Sequence, residues 1–240
     1  MMKREMEAMM SLEKKSEIRS AIEELSMSLA NLRTSTTTTH DDDDDDDHVE
    51  DKIPFHLFIS LCNLLLLLLD KIGPTMAVLR QDIHQNIQRL EMVHETDSST
   101  YSNLVEILKK EVAQGNAKKP NSCTRALLWL TRSLDFSVEL LQKYSIFCDE
   151  NMNQIVEDAY NITLKPWHGW ISSTAVKVAL KLVPGHKTFL KAVMEINDEN
   201  PEDSLRVTQE LDTFVSLLKP LLQHIHSTLR AHGVDRLKST

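Results

Sequence analysis

Residues 121–136 read NSCTRALLWLTRSLDF. Within and beyond this stretch Leu127, Leu130, Leu134, Val138 and Leu141 recur at intervals of three and four, the period of a helix that turns one stripe toward a core. Trp129 stands off that stripe, in line with Arg125, Arg132 and Phe136. A tryptophan so placed suits a pocket wall or surface ledge, and it suits core packing equally well.

Working outward, the same period marks eight helices from residue 54 onward, near 54–70, 75–95, 100–116, 122–148, 151–165, 168–182, 186–195 and 202–232, and no convincing strand remains. Prolines 54, 74, 120, 166, 184 and 201 fall at or near the breaks, where a missing N–H does least harm. The fold class expected is all-α, with one domain over 51–240. The run Pro54–Leu69, with six successive leucines, is about 16 residues long and contains His56, Ser60 and Asn63. A membrane span needs about 20 apolar residues, so the run reads as a helix buried on all sides.

Residues 1–50 are different in kind. Residues 1–33, rich in Glu, Lys, Met and Leu, read as an amphipathic or coiled-coil-forming helix, and residues 34–50, which include Asp41–Asp47, read as an acidic low-complexity linker. Residues 1–50 hold 6 basic and 14 acidic residues, a balance of −8, leaving 21 basic and 22 acidic residues beyond them. That nearly neutral remainder lacks the basic footprint of a nucleic-acid binder. The aspartate run resembles a magnesium-holding motif only superficially, because no second acidic motif follows it, and the ten histidines form no metal-ligand spacing. The isolated glycines offer no phosphate cradle, so no cofactor is expected. Three cysteines without a CxxC, and an N-terminus interrupted by charges rather than opening as a signal peptide, point to a reducing, cytoplasmic setting.

Asp82, Asn86 and Arg89 are spaced to share one helix face. They place an acceptor, a mixed donor and acceptor, and a cation in one column. By themselves such residues are ordinary for a solvated face. Together with GPTMAVLRQDIHQNIQRLE (73–91), the quoted stretch and TLKPWHGWISSTAVKVALKLVPGHKTFLKAV (163–193), they carry more: in order and approximate spacing the chain resembles the glycolipid transfer protein family over most of residues 54–235.

The resemblance implies a two-layer helical sandwich enclosing an apolar lipid tunnel, and non-vesicular transfer of a sphingolipid, glycosylceramide first, between membranes it touches transiently. It gives Asp82, Asn86 and Arg89 the sugar headgroup, Trp129 the first sugar ring, His168 the ceramide amide, and Trp170, with Trp167 beside it, membrane docking. Stretches 54–70, 176–193 and 211–222 are apolar enough to line a tunnel, as they would be to fill a core. Members carrying ceramide-1-phosphate have an arginine where Trp129 stands. Arg125, a turn earlier, keeps a headgroup or phosphate contact open. The ending VDRLKST lacks the aromatic-apolar close of some members. A lipid-sensing module recruiting a protein partner through residues 1–50 is the rival reading. An enzyme is not expected, since no nucleophile elbow or paired carboxylates occur.

Overall fold

The computed structural model describes residues 17–35, 52–72, 76–146, 151–169, 174, 178, 185, 188–189 and 201–238. Its helices are α1 (Glu17–Ser35), α2 (Phe55–Ile72), α3 (Ala77–His94), α4 (Leu104–Ala113), α5 (Cys123–Ile146), α6 (Met152–Thr163) and α7 (Pro201–Ala231), with a 3-10 turn at Thr100–Ser102. Among the described residues the only β-type pairing is an isolated bridge between Pro54 and Asn103.

The predicted helices recur within a few residues, with one division. The helix expected over 100–116 begins only at Leu104, because Asn103 is extended (φ −111°, ψ 118°). Its side-chain oxygen accepts from Val105 N at 3.1 Å and from Ile53 N at 2.9 Å. One asparagine thus caps α4 and fastens the chain entering α2. The helices expected over 168–182 and 186–195 fall almost wholly outside the described residues.

α5 is the central element, packed against α2, α3, α4, α6 and α7. Its predicted stripe, Leu127, Leu130, Leu134, Val138 and Leu141, is buried throughout. Glu111 of α4 fixes the start of α5: its carboxylate accepts from Cys123 N (2.8 Å), Thr124 N (2.7 Å) and Thr124 Oγ1 (2.6 Å). A negative charge on the unpaired N–H groups of a helix start stabilises that start. Gly115, at φ +68°, ends α4 so that the chain can return to this cap. At the far side His226 Nε2 lies 2.7 Å from Asp135 Oδ2 and Lys219 donates to Gln142 at 2.8 Å, joining α7 to α5.

Two expectations need correction. α2 is not buried on every side: His56, Asn63, Leu67 and Asp70 make one exposed line along it, while Phe55, Phe58, Leu61, Cys62, Leu66 and Leu69 are buried. Two of the polar residues that argued against a membrane span are therefore its solvent stripe, and no described helix is long and apolar enough to cross a membrane.

The second concerns residues 1–50, read from composition as lying outside the domain. α1 packs on α7 and α2, with Ile18 and Leu25 fully buried in the common core and Arg19 paired to Glu210. Ile18, Ala21, Ile22 and Leu25 recur at helical spacing, and that apolar face packs against the core. The acidic run lies outside the described residues. Of the expected tunnel walls, α2 and the 211–222 part of α7 contribute to one apolar cluster; 176–193 is outside the description except at Val178, Gly185, Thr188 and Phe189.

Candidate functional site

α3 presents Ile83, Ile87 and Leu90 to the core, and Asn86 lies on the edge of that buried face. Asn86 Nδ2 donates to the Asp82 main-chain oxygen at 3.0 Å, while its Oδ1 accepts from Arg89 Nη1 at 2.9 Å. The predicted column therefore exists as a linked unit. Asn86 is oriented by both neighbours, which leaves Asp82 as its solvent-facing acceptor: among the described residues no hydrogen bond engages that carboxylate. Although open to water at its surface, the Asp82 carboxyl is pushed above the ordinary aspartate range by the protein packed around it, against the pull of Arg89 in the other direction.

α3 lies against α5 here, with Cys123 Sγ donating to the Arg89 main-chain oxygen at 3.4 Å. The Cys123 thiol is pushed up to about 12 by burial, so it stays protonated and packs as a small apolar group.

The second half of the site rises from α5. Trp129 stacks on His168, ring centroids 5.5 Å apart at 30°. The far side of His168 meets Tyr160 of α6, whose hydroxyl is 3.3 Å from Nδ1. Burial, assisted by the nearby Arg132 cation, holds the imidazole below its ordinary value, so it is neutral at pH 7. In the tautomer whose Nδ1 accepts from the Tyr160 hydroxyl, Nε2–H is the imidazole's donor.

Arg132 is the residue that sequence reasoning left out of the site. It is 2% exposed, with its guanidinium 4.9 Å from the Trp129 ring centroid and 4.0 Å from that of Trp167. Desolvation lowers it to about 10, still fully charged at neutral pH. Its donors reach the main-chain oxygens of Leu237 and Asp235, both at 2.7 Å. The line Arg125–Trp129–Arg132–Phe136 was visible in the sequence, but the partners that bury Arg132 are over a hundred residues away.

Trp167 is half-buried beneath that cation and is therefore a packing partner within the site, while Trp170, the other residue expected at a membrane surface, lies outside the described residues. Arg125, partly exposed one turn before Trp129, donates to the Lys238 main-chain oxygen at 2.9 Å. The described residues contain no grouping of acids, histidines and cysteines that could hold a metal ion.

The two groups, joined where Cys123 meets Arg89, offer an exposed acceptor, directed donors, a partly exposed indole and a neutral imidazole. The donors and acceptors among them have the chemistry to meet hydroxyls and an amide, and the indole and imidazole offer flat ring faces. The glycolipid transfer protein profile matches residues 53–195. The chain is 49% identical to glycolipid transfer protein 3 of Arabidopsis thaliana over 98% of its own length and 97% of that protein's, and 34% identical to glycolipid transfer protein 1 of the same plant over 76% and 87%.

In structure it is similar to the domain with which FAPP2 selects simple glycosphingolipids, at a TM-score of 0.72 and 26% identity over 79% of this chain and 90% of that one. It shares its fold with Arabidopsis accelerated-cell-death 11 complexed with C12 ceramide-1-phosphate, at a TM-score of 0.73 and 19% identity over 93% and 100%. These findings make the architecture that of an all-helical lipid carrier and not of an enzyme, and the chain belongs to the glycolipid transfer protein family.

Proposed function

We propose that the protein takes a glycosylceramide out of one membrane and delivers it to another. The observation carrying this choice of headgroup is the partly exposed Trp129 indole stacked on His168, on the helix whose first residue, Cys123, bonds to the Arg89 main chain of the Asp82–Asn86–Arg89 column. An indole offers the apolar C–H face of a sugar ring a flat partner, which a bare cation does not. Asp82 accepts from sugar hydroxyls or the amide N–H, Arg89 donates to hydroxyl oxygens, and His168 donates to the amide carbonyl. The chains need cover as well, because leaving a bilayer for water costs about 0.8 kcal/mol per CH₂. The apolar cluster shared by α2 and α7 is the natural wall of that shelter.

Membrane contact is assigned to Trp170, while Trp167 packs against the Arg132 guanidinium. The buried free thiols Cys62 and Cys123 suit a reducing cytoplasm. The acidic run Asp41–Asp47 is assigned to contacts beyond the pocket, a basic protein surface being the chemistry it would meet. Vesicle-to-vesicle transfer of glucosylceramide tests the proposal. The native chain should load and unload, whereas Asp82→Val should lose nearly all transfer while keeping its helix content. Full activity in that variant would remove Asp82 from the site. Tight binding without delivery by the native chain would make the protein a sensor instead of a carrier.

A further inference from the structure

α7 ends in a turn that decides where the following residues go. Gly233 takes φ +66°, its N–H donates to the Arg230 oxygen at 2.9 Å, and Val234 N–H donates to the Leu229 oxygen at 3.1 Å. This is the paired closure that a left-handed glycine permits at a helix end. Val234, 1% exposed, is pressed into the core immediately after it. The chain is thereby turned back across α5, and Leu237 packs at the core's margin.

Along this path the segment lays down three main-chain oxygens: Asp235 and Leu237 on Arg132, and Lys238 on Arg125. The two guanidiniums flank Trp129 on α5, four residues before it and three after, on one side of the helix. Carbonyl oxygens occupy them in the manner that the oxygens of a phosphate or sulfate group would. A neutral sugar need not displace these bonds, whereas an anionic headgroup seeking the cations must.

We propose that the segment Asp235–Lys238 is a specificity element that withholds Arg125 and Arg132 from anionic sphingolipid headgroups, leaving Trp129 to present a site for neutral ones. The proposal rests on the reading of Trp129 as the headgroup platform. It accounts for a chain that keeps Arg125 beside Trp129 without using it as a phosphate clamp. Asp235 pairs with Arg230 at 3.7 Å, which ties the start of the segment to the end of α7.

The test compares transfer of glucosylceramide and ceramide-1-phosphate, each from neutral phosphatidylcholine vesicles, by the full chain and by a chain cut after Val234. The cut chain should raise its ceramide-1-phosphate to glucosylceramide ratio by about tenfold, the scale of one released charge-assisted hydrogen bond. Adding Arg125→Gln to it should reverse much of that gain. Leu237→Ala in the full chain loosens the same segment without changing charge, and should move the ratio in the same direction by a smaller factor even where the cut chain loses helix content. An unchanged ratio in a folded cut chain, or in Leu237→Ala, overturns the proposal while leaving the carrier reading intact. A full chain that transfers no glucosylceramide overturns that reading and this proposal with it.

Discussion

The two halves of the proposed headgroup site are held together in opposite ways. On α3 the polar side chains bond to residues three and four positions away, and Asp82 faces water. On α5 the central cation is almost wholly buried, sandwiched with two indoles and bonded to main chain from beyond α7. A local arrangement can lose one member without unfolding, because water replaces the missing partner. A long-range one built on a buried cation loses stability with any member, because its leftover polar groups are only partly open to water. The α3 column should therefore fail in binding, and the α5 cluster in stability as well.

The largest effect expected is at Arg132. Arg132→Leu leaves the Asp235 and Leu237 oxygens without their donor and removes the cation from Trp167, so urea denaturation should show a loss of ~2–4 kcal/mol. Less than ~0.5 kcal/mol would mean that water reaches this cluster freely and that the contrast between the halves is overstated. Asp82→Val sharpens the other side of the comparison, since the same titration should move by under ~1 kcal/mol while transfer collapses.

Between these lies Trp129→Arg. Losing the aromatic platform should weaken glucosylceramide binding by ~1–3 kcal/mol. The new guanidinium, one turn from Arg125, should raise ceramide-1-phosphate binding, measured by competition for vesicle-bound lipid. A native chain that already prefers the phosphate lipid would contradict the headgroup assignment.

The smallest effect is in pH. His168 binds its proton less readily folded than unfolded, so between its ordinary value near 6.5 and its lower folded one the unfolded chain holds the extra proton. Acidification through that window should therefore erode stability, and stability should be regained as pH rises back above it. His168→Gln should flatten this part of the stability profile in thermal melts from pH 7 to 5. An unaltered slope would place the acid sensitivity elsewhere.

What could be read in the sequence follows the same division between local and distant. The stripe of α5 and the spacing of Asp82, Asn86 and Arg89 are set by helical period, so they are written into neighbouring positions. The burial of Arg132 is not, because its acceptors are main-chain oxygens of Asp235 and Leu237, and any residue type there would supply them. Trp129 was legible as lying off the stripe, whereas the His168 ring stacked on it comes from the turn after α6, beyond the reach of local spacing. The embedding of α1 escaped for a related reason. Ile18, Ala21, Ile22 and Leu25 keep the spacing of one apolar helix face, but only the contacts with α2 and α7 say what covers that face. Composition marked a change at residue 51, whereas packing draws α1 into the body.

Gly233 shows how much can depend on a residue that touches almost nothing. A β-carbon placed there would meet no atom within 4 Å, so a substitution would not fail by collision. It would fail by handedness: the φ of +66° belongs to a region that L-residues enter reluctantly, at roughly 1 kcal/mol. A chain relaxing toward an ordinary dihedral would leave α7 along another heading, and a small angular error at the pivot grows over the next five residues into a miss at Arg125. The steering of the segment is thus mirror-sensitive, fixed by the chirality of the backbone at one point and read out as hydrogen bonds on a different helix.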